Sequence, residues 1–206
     1  RRQRQRCIRD RPEGVIVTSI ARAADEHGEL LARHLGTVVS AEDVFTMLNQ
    51  SAEYRSGSFV YVPRGVVVPD PILVRGVQPE SGTLLHHRTL IVLEEGAQAE
   101  VWEQYLSAQV DLDGVFNVVT ELVVGDAARL RYVCGQSLSE RSWIFGAQRA
   151  ELSRDAYLDW VALGFGSARG RVRMETRLGG PGAEARVTGA YASHGRQHID
   201  FDTTQE

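Results

Sequence analysis

An alternating apolar triplet recurs four times along the chain at nearly constant spacing, and no other feature restricts the fold so strongly. Ala97, Ala99 and Val101 alternate with polar residues. The pattern returns as Ala128, Leu130 and Tyr132, as Ala156, Leu158 and Trp160, and as Ala183, Ala185 and Val187. The leading alanines lie 31, 28 and 27 residues apart. Each copy follows a turn-like stretch: Glu94-Glu95-Gly96, Gly125-Asp126-Ala127, Ser153-Arg154-Asp155 and Gly179-Gly180-Pro181-Gly182. Before the turn comes another strand-like run, as in Leu90-Ile91-Val92-Leu93 and Glu121-Leu122-Val123-Val124. A period of two puts every second side chain on one face of a strand. A strand–turn–strand unit this short cannot bury that face alone, so successive units must stack. The spacing predicts a mainly β chain built as a stacked solenoid, with Glu100, Arg129, Arg131 and Asp159 facing outward.

Upstream of the repeat the signals are mixed. Gly14 to Thr18 reads as a short strand. Ser19 is placed to cap a helix running through Leu35, with Ile20, Ala24, His27, Leu31 and Leu35 near helical spacing and Gly36 as a left-handed cap. Ser40 is placed to cap a second helix, with Glu42 and Asp43 in its first turn and Val44, Phe45, Met47 and Leu48 as its buried face. After Gly57 the period becomes two. Ser58 to Val62 reads as a strand, Pro63-Arg64-Gly65 as a turn, and Val66-Val67-Val68 as a degenerate earlier copy of the repeat. Pro69 and Pro71 mark a strand end or edge, and residues 76–83 read as a loop.

The net charge of −4 is unevenly spread. Arg1, Arg2, Arg4, Arg6, Arg9 and Arg11 face one acid, Asp10, so the rest of the chain is distinctly acidic. An acidic body excludes the usual nucleic-acid-binding surface. All 23 basic residues are arginine. Without lysine there is no phosphate loop of the usual kind and no Schiff-base chemistry. Cys7 and Cys134 make neither a disulfide framework nor a Cys-x-x-Cys pair. With no signal peptide and no apolar run near membrane-spanning length, the expected compartment is the cytoplasm. The chain starts without methionine and stops at Asp202-Thr203-Thr204-Gln205-Glu206, which reads as a piece of a longer protein.

Candidate chemistry is sparse. His86 and His87 are neighbours on a strand and so point to opposite faces, where they cannot share one ion. His198, Asp200 and Asp202, with His194 nearby, would share a strand face and could hold a transition metal. A solvent-facing polar stripe explains the same residues. Cys134 fits a small buried hydrophobe better than a thiolate ligand. Glu94/Glu95 and Glu100/Glu103 are acidic pairs with nothing to fix their separation. The sequence has no Gly-x-Ser-x-Gly elbow and no His-Glu-x-x-His, so no catalytic, cofactor-binding or metal-binding residue is assigned.

Several runs, in this order and spacing, resemble the SufB/SufD family of the Suf iron–sulfur cluster assembly system. They are Gly14 to Val17, Phe59 to Val66, Arg88 to Val92, Glu94 to Ala97, Ala128 to Tyr132 and Asp200 to Gln205. The resemblance implies a right-handed parallel β-helix flanked by helical segments. On that reading residues 1–12 are a disordered basic arm, 13–56 an N-terminal α/β segment, and 57–206 a β-helix core truncated at its C-terminal end. The SufB type carries a cysteine where this chain has Glu103-Gln104-Tyr105, and a lysine where it has Gln148 before Arg149-Ala150. Gln136 matches a glutamine of the SufB tunnel, but Trp143 to Ala150 and Phe201 to Gln205 are closer to SufD. The resemblance implies a non-catalytic scaffold subunit that binds no cofactor by itself. Its expected partners are a SufB-like subunit, a SufC-like ATPase or a second copy of this chain, with an iron–sulfur cluster built at the complex interface. Neither nucleic acid nor membrane is expected as a partner. A β-solenoid polysaccharide-binding or lyase domain is the alternative, and a metal enzyme centred on His198, Asp200 and Asp202 is a third reading.

Overall fold

The computed structural model describes residues 11–52 and 56–206. The arm expected over residues 1–12 lies, apart from Arg11 and Pro12, outside the described residues. The N-terminal part holds β1 (Ile16–Ser19), α1 (Ile20–Glu26), α2 (Gly28–His34) and α3 (Val44–Ser51). The body holds β2 (Ser56–Val62), β3 (Ile72–Gln78), β4 (Thr83–Leu93), β5 (Gln98–Ser107), β6 (Asp113–Val124), β7 (Arg129–Ser137), β8 (Arg141–Leu152), β9 (Tyr157–Gly164), β10 (Arg169–Leu178), β11 (Glu184–Tyr191) and β12 (His198–Gln205).

From β2 onward the chain alternates between two sheets. The even-numbered strands form one, ordered β1-β2-β4-β6-β8-β10-β12; the odd-numbered strands form the other, ordered β11-β9-β7-β5-β3. All pairs are parallel except β1 with β2. This is a parallel β-solenoid of about 5 turns. The repeat read from sequence is its register: Ala99 pairs with Leu130, Leu130 with Leu158 and Leu158 with Ala185. Their side chains and those of Val101, Tyr132 and Trp160 point between the sheets into one continuous core. Val66 to Val68 does form the earlier copy, since Val67 bridges to Gln98 and the Val68 N–H donates to the Gln98 carbonyl.

The turn before each copy stacks as well. Gly65, Gly96, Ala127, Asp155 and Gly182 occupy equivalent positions with φ of 69°, 68°, 55°, 55° and 73°. The N–H of each of the first four donates to the carbonyl just before the next, as from Gly96 to Asp126 at 2.8 Å. The left-handed conformation aims that N–H along the solenoid axis. Outside, Arg131 lies between Glu100 (3.9 Å) and Asp159 (3.7 Å) on adjacent rungs, so the residues expected to face outward do so.

Three N-terminal expectations need correction. The helix from Ser19 is broken: Ser19 caps α1 through Arg22, but His27 leaves helical geometry (φ −139°, ψ 34°) and α2 restarts at Gly28, a weak helix former. Gly36 does take the left-handed conformation after α2, with φ 78°. The second helix is capped by Asp43, not Ser40, in a reciprocal capping box with Thr46. Its apolar face points outward: Val44 and Met47 are 59% and 58% exposed, while Thr46 and Asn49 are buried. The reason is polar. Asn49 Nδ2 donates to the His87 and Asn117 carbonyls, and Asn117 donates back to the Phe45 carbonyl. Phe45 is half-buried, stacked on Phe145 at 4.7 Å. Residues 76–83, read as a loop, instead complete β3 and begin β4 around a short turn.

A buried ion pair fastens these helices to the outer face of the even-stranded sheet. Arg88 Nε and Nη2 donate to Glu121 Oε1 at 3.0 and 2.6 Å. Glu121 also accepts the backbone N–H groups of Gly36, Val38 and Val39, in the link between α2 and α3. Beside it, Ile20, Ala23 and Leu31 pack on Phe59, Leu90 and Val92.

Candidate functional site

The interior is largely apolar, and at one level polar side chains from both sheets meet. The alternation that turns Ala99 and Val101 inward continues along β5 and turns Glu103 and Tyr105 inward as well. It likewise carries Tyr132, Cys134 and Gln136 of β7 into the core. From the facing sheet come His87 and Thr89 of β4, Thr120 of β6 and Gln148 of β8, all buried.

Glu103 is the centre of this cluster. Its carboxylate accepts from Thr89 Oγ1 and Tyr132 Oη, each at 2.5 Å, and contacts His87 Nε2 at 3.2 Å. Burial pushes the Glu103 carboxyl upward; the hydrogen bond and charge of His87, with the Thr89 and Tyr132 hydroxyls, outweigh it and hold the group below its usual range. The cost of that charge appears around it. Burial first, then nearby negative charge, raises Tyr105 and Tyr132 well above the ordinary phenol value. Burial, then the Glu103 carboxylate, pushes the Cys134 thiol up to about 12. Gln148 Nε2 closes the far side, 3.1 Å from Tyr105 Oη and 3.4 Å from Cys134 Sγ. Gln148 is thus a neutral amide held by a phenol and a thiol.

His87 Nδ1 also meets Ser56 Oγ at 2.8 Å. Ser56, His87 and Glu103 are thereby lined up like a nucleophile, base and orienting carboxylate. The imidazole is 1% exposed and surrounded by side chains of the cluster, with Tyr105 and Phe116 flanking its ring. Such a line can pass a proton between half-buried Ser56 and the core; it offers the imidazole no face to a substrate.

The other candidates separate. His86 and His87 point apart as expected: His86 Nδ1 meets Asn117 Nδ2 on the outer side. Glu100 and Glu103 also lie on opposite faces, so they do not act as a pair; Glu100 instead accepts from Trp102 Nε1. Glu95 pairs with Arg64. His198, Asp200 and Asp202 line one face of β12, but Arg171 on the adjacent strand contacts Asp200 at 3.5 Å and Asp202 at 3.2 Å. That guanidinium occupies the place a cation would take. His194 pairs with Glu140 at 2.7 Å. Among the described residues no group of three or more His, Cys, Asp or Glu side chains is placed to hold a metal ion. Nor is any helix among them long and apolar enough to cross a membrane. Cys7 lies outside the described residues. Residues weighed singly do not reveal the core cluster; the parity of β5 and β7 is the sequence signal that points to it.

Fold and site together define a parallel β-solenoid with a closed polar core and a helical N-terminal cover. The chain belongs to the SufBD family. The family model for the SUF system FeS cluster assembly SufBD core domain matches residues 76–206, and that for the SufBD protein N-terminal region matches residues 2–74. The iron–sulfur cluster assembly protein SufD of Bacillus subtilis is 31% identical over 196 residues, covering 93% of this chain and 44% of that protein. The SufBD family protein slr0074 of Synechocystis is 36% identical over 120 residues, covering 58% of this chain and 25% of that protein. A chloroplastic SufBD family protein of Arabidopsis thaliana, ABCI8, is 34% identical over 119 residues, covering 58% and 21%. Within the family the chain is nearer SufD. It spans less than half the length of these relatives.

Proposed function

We propose that this chain forms part of a non-catalytic scaffold subunit in cytoplasmic iron–sulfur cluster assembly by a Suf-type complex. Its partners in that role are a SufB-like subunit and a SufC-like ATPase, and the cluster is cargo built where the subunits meet. The observation that carries the reading is the match to a SufD protein along nearly the whole chain. The core supports it. Cys134 is the one cysteine among the described residues, and its thiol is buried, protonated at neutral pH and beside a carboxylate. A buried, protonated thiol is a poor iron ligand and a poor sulfur acceptor. A chain of this kind contributes shape and surfaces. The test is to tag the full protein that carries this chain and purify it from cells expressing SufB-like and SufC-like proteins. Both should be retained at fixed stoichiometry; retention of neither rejects the reading.

A further inference from the structure

The helices cover only part of the outer face of the even-stranded sheet. α3 lies over Asn117 and Phe145. One row nearer the start of the strands, Leu84, Val115, Trp143 and Arg169 stand in register from β4 to β10. Leu84 is 49% and Trp143 40% exposed. Here the face opens into a pocket of about 460 Å³, a volume that suits one small molecule. Leu84 and Val115 line its floor and the Trp143 indole forms one wall. That indole is held from behind: the Arg169 guanidinium lies over its ring at 5.3 Å, and Phe145 meets it edge-on at 6.0 Å. Asp113 and Arg141, neighbours in register, make the rim. Arg141 reaches Asp113 only at 3.5 Å, one long contact for a group with five N–H donors. Arg169 pairs with no carboxylate among the described residues.

We propose that this pocket binds a small aromatic carboxylate. The ring stacks on the free face of Trp143 above Leu84 and Val115, and the carboxylate accepts from the open N–H groups of Arg141. Shape and charge select that class of ligand. An indole already fixed by its neighbours is a platform for a flat ring, and little ordering is needed when the ring arrives. The apolar floor would leave the hydroxyls of a sugar unpaired. Arg141 and Arg169 stand beside one carboxylate, Asp113, so an anion is favoured over a cation or a neutral ring. Trp143 is then the stacking surface and Arg141 the group that sets specificity. This inference does not depend on the cluster-assembly role.

The test is an NMR titration of the full protein that carries this chain, labelled with heavy nitrogen at tryptophan. The probes are phenylacetate and its neutral isostere phenylacetamide. The Trp143 indole peak, assigned by its loss in Trp143→Leu, should shift and saturate with phenylacetate at a Kd of about 1–5 mM. Phenylacetamide should bind about 5-fold or more weakly. In Arg141→Gln, phenylacetate should weaken to the level of the amide, while binding of the amide is unchanged. The peak of Trp160, which is fully buried, should stay in place throughout and shows that each variant is folded. Absence of a saturable Trp143 shift overturns the proposal. So does equal binding of the two compounds by the parent, or an Arg141→Gln protein that still prefers the anion.

Discussion

A buried carboxylate is tolerated only when its charge is paired and its oxygens are hydrogen-bonded, and Glu103 has both through His87, Thr89 and Tyr132. Its carboxyl is held below the usual 4.5 in the fold. Its share of stability is therefore present above that value and lost as pH falls through the folded one. Glu103→Gln should cost about 3 kcal/mol at pH 7 in a denaturant titration. It should also flatten the acid side of the stability–pH curve relative to the parent. Cys134 shifts the other way. Its thiol is raised from 9.0 to about 12, so the stability it contributes is present below pH 9 and lost as pH rises toward 12. In a Cys7→Ser background, iodoacetamide at pH 8.5 should leave Cys134 unmodified in the native chain and alkylate it in denaturant, as read by mass spectrometry. Alkylation of the native chain at the denatured rate would contradict the closed core.

At the scale of the element, the stacked turns carry a local cost. Ala127 and Asp155 hold the left-handed conformation that glycine fills at positions 65, 96 and 182. Asp tolerates it; alanine does so at about 1–2 kcal/mol. Ala127→Gly should therefore raise stability by about 1 kcal/mol and the Tm by about 2–4 °C. The gain is trimmed by the greater entropy of the unfolded glycine. In α3 the capping box and the Asn49 bonds outweigh the apolar stripe. Two of the four orphan N–H groups at the helix start are met by Asp43, at Phe45 and Thr46. Outward exposure of Met47 and Val44 costs less than leaving the β4 and β6 carbonyls that Asn49 serves unpaired.

Across the whole molecule, the Arg88–Glu121 pair makes the helical cover and the solenoid one unit. Removing Glu121 takes from Arg88 a buried ion-pair partner and from three backbone N–H groups their acceptor. Glu121→Ala should cost about 3–5 kcal/mol, and the amides of Gly36, Val38 and Val39 should become fast to exchange with deuterium while those of β6 and β8 stay protected. The double variant Arg88→Met/Glu121→Leu should be less destabilised than Glu121→Ala, since no buried charge remains. If the single and double variants lose equal stability, the pair contributes through packing alone.

Sequence by itself determined the stacking, its register and the turn positions. These rest on relations within one strand and one turn: period-two alternation and a residue with φ above zero at a fixed offset. Both are written locally, so spacing alone aligns Ala99, Leu130, Leu158 and Ala185, and the outward row of Glu100, Arg131 and Asp159 with them. Even the inward turn of Glu103 and Cys134 follows from the same parity. Tertiary structure alone decided what they meet there. His87 lies 16 residues before Glu103 and Tyr132 lies 29 after it; they touch only because the solenoid closes and brings the strands into step. The same holds for α3. Its amphipathic pattern fits a helix with Val44 and Met47 inward. The surface it lands on presents the His87 and Asn117 carbonyls instead, and the bonds Asn49 makes to them set which side faces the sheet. Local periodicity names the faces of an element; the polar groups waiting on its neighbour choose between them.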